Sequence, residues 1–134
     1  MTALASELGI ETSVVEGACG PSFDPPYIHL NPHNFEALKK NTPQRGPGSV
    51  PGTILAATLL ALWFRAAELG QVKVDHIHEV LRTLHLSDRN APRALKNCPW
   101  FTMRGESIVL NPAEITRAIA VARAYCLKDK PELA

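Results

Sequence analysis

The sequence lacks the features that mark membrane and secreted proteins. Its longest strongly apolar run, from Ile54 to Phe64, is interrupted by one Thr and is shorter than the roughly 20 residues that a membrane helix needs. Cys19, Cys98 and Cys126 are odd in number and widely spaced, which argues against a disulfide framework. The first residues also lack the basic start, apolar centre and small-residue cleavage site of a signal peptide. We therefore expect a cytoplasmic protein in a reducing environment, with no membrane partner.

Sequence motifs of catalysis and metal binding are absent as well. The glycines of residues 46–52 alternate with prolines, which remove the backbone N–H groups that a phosphate loop needs. His76 and His78 lie two residues apart in a predicted helix, so they project in nearly opposite directions and cannot share a metal ion. Cys98 falls at a helix end, where the helix dipole does not activate a thiol. We expect neither an enzyme nor a bound metal or cofactor.

Positive charge is scarce at the start of the chain and concentrated later. The 134 residues are 46% hydrophobic and 20% charged, which suits a compact domain with its own core, and the net charge is only +1. Residues 1–35 contain no Lys or Arg. Residues 82–104 hold one acid, Asp88, against the basic residues Arg82, Arg89, Arg93, Lys96 and Arg104. Because the net charge provides no overall attraction to nucleic acid, any such binding depends on this local concentration.

Two helices joined by a turn are predicted between residues 75 and 98. After Asp75 as N-cap, apolar residues recur with helical spacing at Ile77, Val80, Leu81 and Leu84. Residues 87–90 favour turns and caps. A second helix begins at residues 88–90, with Pro92 in its first turn and Pro99 at its end.

A short β-hairpin is predicted at residues 100–110. The residues before the turn at Arg104 and Gly105 are aromatic or tolerant of strand structure, and those after it are apolar and largely β-branched. Trp100 and Phe101 follow a helix end and precede a strand, so we interpret them as a plug between hairpin and helices. The competing interpretation is a platform on which bases stack.

Two Asn-Pro pairs predict helix starts. Asn111 and Pro112, with Glu114 behind them, supply an N-cap, a Pro at the first helical position and an acid at the third. Asn31 and Pro32 have the same local form and predict a short helix to about Lys40.

The order of these predicted elements is two helices joined by a short turn, then a hairpin and a further helix. This order resembles the winged helix-turn-helix superfamily. The resemblance covers residues 53–125 if the apolar helix that begins at Thr53 is the domain's first helix. It implies a mainly α fold with a small β-hairpin, here joined to an N-terminal arm. In such domains the helix after the turn commonly enters the DNA major groove, while the hairpin wing lies along the backbone or in the minor groove. By position, the reading helix is residues 89–97 and the wing tip is residues 104–107.

The predicted nucleic-acid-binding residues are Arg89, Asn90, Arg93, Lys96 and Arg104. On a helix, residues 89, 93 and 96 recur at i, i+4 and i+7 and so face one way. Arg and Asn pair bidentately with guanine and adenine edges, and Lys suits phosphate. The alternative interpretation is a solvated helix face that keeps the protein in solution.

The first 52 residues are expected to form an N-terminal arm, flexible or docked on the domain surface. Residues 1–26 look weakly organised, and a strand at residues 27–30 can pair with the hairpin. Residues 41–52 hold three Pro and three Gly, which indicates an extended connector. The winged-helix domain then occupies residues 53–126, and a polar tail occupies residues 127–134.

The helix that begins at Thr53 and is capped by Gly70 is apolar around nearly its whole circumference, which predicts burial on more than one side. Its second side needs a cover. One candidate is a homodimer through Leu55, Leu59, Leu62 and Trp63. The competing account is cover by residues 1–40 of the same chain.

Two functions of different classes are compatible with these patterns. The first is a DNA-binding winged-helix protein, a transcription or replication accessory factor whose partner is double-stranded DNA. The second is a non-enzymatic protein-interaction adaptor or inhibitor subunit that uses the same fold without DNA and binds a protein partner through its N-terminal arm. The modest net charge and the acidic, Pro-rich arm favour the second function.

Overall fold

The computed structural model describes residues 1–22, 24, 27–46 and 48–131, and within them the protein is mainly helical with one small antiparallel sheet. The first part contains α1 (Thr2–Leu8), α2 (Thr12–Cys19), α3 (Pro32–Asn41) and α4 (Gly52–Ala66). The second part contains β1 (Val72–Lys73), α5 (Val74–Arg82), α6 (Ala91–Lys96), β2 (Phe101–Arg104), β3 (Ser107–Leu110), a 3-10 turn (Pro112–Glu114) and α7 (Ile115–Leu127). The last three residues of the predicted polar tail, 132–134, lie outside the described part of the chain.

The sheet has the strand order β1-β3-β2. β2 and β3 form the predicted hairpin, with Arg104 opposite Ser107. On the other side of β3, Lys73 of β1 also lies opposite Ser107, and the Val74 N–H donates to the Glu106 carbonyl at 2.8 Å. The prediction of a hairpin is confirmed, whereas the sequence pattern does not predict β1. This strand fastens the hairpin to the start of α5.

Local capping chemistry explains where several helices begin. The Asn31 side chain accepts hydrogen bonds from the N–H groups of His33 and Asn34 at 2.8 and 3.3 Å, and the Asn111 side chain accepts from the Ala113 N–H at 3.1 Å. Both predicted Asn-Pro starts are therefore confirmed.

Two other predicted helix ends are wrong. The N-cap of α5 is Lys73 rather than Asp75, because the His76 ring accepts the Lys73 N–H at 3.0 Å. Helix α4 ends at Ala66, before Gly70, and Ala67 is its C-cap.

Helix α4 is the centre of the core, and every residue from Thr53 to Phe64 is buried. Helices α1, α5 and α7 all pack against it. The prediction of burial on more than one side is confirmed, and the cover comes from the chain's own helices. Leu55, Leu59 and Leu62 have no exposed surface in the single chain and Trp63 has 2%. The prediction that these four side chains form a dimer interface is therefore wrong, because no surface remains on them for a second copy.

Residues 1–41 contribute three helices to this core. Leu4, Leu8 and Val15 are buried in α1 and α2, and the α3 side chains of Phe35 and Leu38 are buried as well. One hydrophobic cluster includes these residues together with α4 and α7, so the predicted boundary at residues 52 and 53 runs through it.

The segment between α2 and α3 is not the predicted strand. The His29 N–H donates to the Cys19 carbonyl at 2.7 Å and the Leu30 N–H to the Thr83 hydroxyl at 3.1 Å, so the segment pairs with α2 and the end of α5. Ile28 and Leu30 are buried. Phe23, Pro25 and Pro26 of the weakly organised stretch lie outside the described residues.

A buried polar pair anchors Trp100 beneath the hairpin. Trp100 is 6% exposed and Phe101 5%, which confirms their role as a plug. The Trp100 indole N–H donates to the Thr58 hydroxyl at 3.0 Å, and that hydroxyl donates to the Ile54 carbonyl at 2.6 Å. Each polar atom of this pair therefore has a partner inside the core.

Thr58→Val is expected to destabilise the protein by about 1–3 kcal/mol in urea unfolding, because it leaves the buried indole N–H without an acceptor. The substitution keeps the side-chain shape and adds apolar surface, so a purely hydrophobic site would be unchanged or stabilised. In a Trp100→Phe background the effect of Thr58→Val should largely disappear. Equal losses in both backgrounds would contradict the assignment.

Candidate nucleic-acid interface

Helix α6 is a short helix with one buried side and one charged side. Ala91 and Leu95 have no exposed surface and hold it against the core. Arg93 and Lys96 are exposed on the same helix. Since residues three apart are neighbours on a helix surface, these two cations lie side by side.

The start of α6 lies at the last residue of the predicted range of 88–90. Asn90 is the N-cap, and Arg89 precedes the helix in a turn. The predicted span of residues 89–97 is therefore too long, and the i, i+4, i+7 argument holds only for the part that is helical. Both residues are nevertheless exposed beside the helix start. Asn97, directly after the helix, is also exposed and is a polar candidate that the prediction omitted.

The three-stranded sheet carries a second pair of cations. Arg104 and Lys73 lie opposite Ser107 from its two sides, and residues opposed in antiparallel strands project to the same face of a sheet. Both are exposed. The sequence singled out Arg104 alone, because β1 is only two residues long and gives no periodic signal. Glu106 at the hairpin turn is exposed and opposes these charges in part.

The cations of this candidate interface are free of ion pairs. In the described part of the chain, salt bridges join Lys39 to Glu36, Arg65 to Glu7, Arg82 to Glu79 and Arg117 to Glu114. None of these involves Arg89, Arg93 or Lys96, nor Lys73 or Arg104. These five side chains therefore form no direct ion pair within the described residues.

Asp88 is the one acid in this basic stretch, and its two oxygens are already engaged. The Thr53 hydroxyl donates to one oxygen at 2.5 Å, and the Asn90 N–H donates to the other at 2.8 Å. The first contact reaches the start of α4 and the second reaches the N-cap of α6. The carboxylate thus links the two helices.

His76, a possible metal ligand, is half-buried, and Cys98, a possible nucleophile, is buried. The His76 ring lies 5.4 Å from that of Tyr27 and 5.5 Å from that of Phe64, and burial lowers its pKa. Burial raises the pKa of the Cys98 thiol to about 11, so it is not a thiolate near neutral pH. Among the described residues, no three His, Cys, Asp or Glu side chains gather where they could hold a metal ion.

Comparison of the chain with protein-family models, with curated proteins and with solved structures finds no match. Within the residues that the structure describes, no helix has the length and apolar character required to cross a membrane. Any function must therefore be argued from the arrangement of the elements and from the surface they present.

Proposed function

We propose that this protein is a winged helix-turn-helix protein that binds double-stranded DNA, as a transcription or replication accessory factor. The order of elements supports the proposal: α4, then α5 and α6 around a turn, then the β2–β3 hairpin. The pairing of β1 with β3 supports it further, because it holds the hairpin at a fixed place beside the helices.

The observation that carries the proposal is a set of exposed cations that form no ion pair with any described residue: Arg89 before α6, Arg93 and Lys96 on α6, Lys73 on β1 and Arg104 on β2. Neutralising phosphates with such side chains releases counterions from DNA and provides affinity. Asn90, Arg89 and Arg93 have side chains of the types that form paired hydrogen bonds with base edges. The buried Trp100 and Phe101 leave no aromatic platform here for single-stranded bases, which favours a duplex.

An adaptor function remains the second candidate, and a surface groove with several exposed apolar side chains favours it. Val14 is 36% exposed and Leu127 is 43% exposed, and both line a groove of about 590 Å³ together with Ile10. Exposed apolar side chains grouped in this way are typical of protein contacts. A protein partner would bind here beside the N-terminal helices rather than to a free arm, because α1 and α2 are packed into the core.

The proposal is tested by fluorescence anisotropy of a labelled random-sequence duplex titrated with the protein at several salt concentrations. If four cations neutralise phosphates, affinity should fall roughly a hundredfold between 50 and 200 mM salt. Arg93→Ala combined with Lys96→Ala should weaken binding at low salt. It should also reduce the slope of log K against log salt by about 2, at close to one unit per lost contact.

A matched control removes the same charge elsewhere. Lys40 and Lys130 are exposed and lie outside α6 and the hairpin, so Lys40→Ala combined with Lys130→Ala should leave affinity and slope nearly unchanged. Absence of wild-type binding even at low salt would overturn the proposal and direct attention to the adaptor function. Equal weakening by both double variants would show that only net charge matters.

A further inference from the structure

The junction between α4 and α6 is built more tightly than a surface turn requires. Thr53, at the second position of α4, is a polar residue with only 3% of its surface exposed. Its hydroxyl donates to Asp88, whose other oxygen holds the Asn90 N–H at the start of α6. A single carboxylate therefore joins the buried start of α4 to the N-cap of α6.

A second contact holds the same junction without hydrogen bonds. A Cβ atom placed on Gly52 would lie 3.0 Å from the Leu86 Cδ1 atom and 3.3 Å from the Leu81 Cδ2 atom. The Leu86 and Leu81 side chains thus lie against the first residue of α4, and their ends would have to shift to admit a larger residue at position 52. Gly52 and Thr53 at the start of α4 therefore both contact the segment that leads into α6.

Helix α6 needs such support because it is only six residues long. A helix of this length is not stable by itself in water, since too few hydrogen bonds compensate for the cost of nucleation. Ala91 and Leu95 hold its buried side, but both are on the helix itself and neither constrains the turn that carries Arg89 and Asn90.

We infer that Asp88 is a positioning residue for the candidate nucleic-acid interface: through Thr53 and Asn90 its carboxylate fixes the start of α6 relative to α4. This inference rests on the proposed function. It makes a prediction opposite in sign to simple electrostatics. A carboxylate beside Arg89 repels phosphates, so if charge alone matters, its removal strengthens DNA binding. If Asp88 positions α6, its removal weakens binding.

The experiment compares variants that break the link with and without a change of charge. Thr53→Val removes the hydroxyl without altering charge or shape, and Asp88→Ala removes the carboxylate. Both are expected to weaken duplex binding about tenfold, the size expected for loss of a hydrogen bond to a charged group. Thr53→Ser retains the donor and should bind like the wild type. The double variant Thr53→Val/Asp88→Ala should bind no more weakly than Asp88→Ala, because both changes break one link.

Amide hydrogen exchange provides a readout that does not depend on DNA. Thr53→Val should accelerate exchange at residues 90–97 while leaving α7 unchanged, and Thr53→Ser should not. Asp75→Ala, which removes an exposed acid from α5, is the charge control and should bind as tightly as the wild type or slightly more tightly.

The outcomes separate the two ideas. If wild-type protein binds duplex but Thr53→Val binds equally well, or Asp88→Ala binds more tightly, the positioning role is overturned while the proposed function stands. If the wild type binds no duplex, the proposed function fails. Exchange at residues 90–97 then decides the positioning role alone, and unchanged exchange in Thr53→Val overturns it.

Discussion

A chain that begins at Gly52 is expected not to fold. The sequence pattern places an independent domain at residues 53–126, yet α1 packs against α4, and α2 and α3 pack against α7. Without residues 1–51, α4 loses the cover that α1 provides, and α7 loses the cover that α2 and α3 provide. Apolar surface on both helices would then be exposed to water.

The size of the effect follows from the side chains that would be lost. Leu4, Leu8, Val15, Ile28 and Leu38 are essentially buried in the full chain. Burying one such side chain contributes about 1.5–3 kcal/mol, so the five together contribute on the order of 10 kcal/mol. Domains of this size are stable by only about 5–15 kcal/mol in total. Loss of these contacts therefore removes most or all of the folding free energy.

The measurement is far-UV circular dichroism with thermal unfolding of residues 52–134 beside the full chain. The fragment should lack a cooperative transition, and addition of a peptide spanning residues 1–51 should restore one. A cooperative transition of the fragment alone, close to the midpoint of the full chain, would show instead that the N-terminal helices are dispensable and that the predicted domain boundary is right.

The difference between prediction and structure in this region has a physical cause. The helix starts at Asn31 and Asn111, each followed by a proline, can be predicted from the sequence. Their cap hydrogen bonds join residues only two or three apart, so local chemistry determines them. The need to cover α4 is readable too, because the helix is apolar on all sides. The helices that cover α4 cannot be predicted in the same way. Helices α1 and α2 have only seven and eight residues, which is too few turns to give a clear period of apolar residues.

At the candidate interface, too, features set by local sequence are predicted and features set by distant contacts are not. Exposure of Arg93, Lys96 and Arg104 agrees with the sequence pattern. The sequence pattern places Arg89 on the helix, because Asp88 and Asn90 are both good N-caps and local rules do not decide between them. The contact that decides is Thr53 with Asp88, which are 35 residues apart. Lys73 was omitted because a two-residue strand exists only through its pairing with β3.

Tyr125→Phe is expected to destabilise the protein by about 1–3 kcal/mol, since it removes two hydrogen bonds that contribute roughly 0.5–1.5 kcal/mol each. The Asn31 N–H still donates to the Ala18 carbonyl at 3.1 Å in the variant, so neither backbone group is left without a partner. The Tyr125 hydroxyl accepts the Asn31 N–H at 2.8 Å and donates to the Ala18 carbonyl at 2.5 Å. The ring itself has no exposed surface, and Phe retains it. The loss therefore reports one oxygen atom that joins α7 to the end of α2 and the start of α3.

Tyr27→Phe is the matched control. The Tyr27 ring is half-buried, and its centroid lies 6.4 Å from that of the Trp63 ring and 5.2 Å from that of the Phe64 ring. A Phe ring keeps both contacts. Its unfolding free energy in urea should change by less than about 0.5 kcal/mol, as for other substitutions that remove no buried hydrogen bond. Comparable losses in the two variants would show that the Tyr125 hydroxyl has no special role.

The pH dependence of the stability difference between wild type and Tyr125→Phe tests whether the hydroxyl is buried. Burial raises the pKa of Tyr125 in the folded state above the value of about 10 that an unfolded tyrosine has. A raised pKa means that the stability contributed by the neutral hydroxyl is fully present below about pH 10 and is lost as the pH rises further, because only the unfolded state then ionises readily. The stability difference between wild type and Tyr125→Phe should therefore be constant from pH 6 to 9 and narrow above pH 10. A difference that stays constant into the alkaline range would mean that the hydroxyl is not buried as the structure has it.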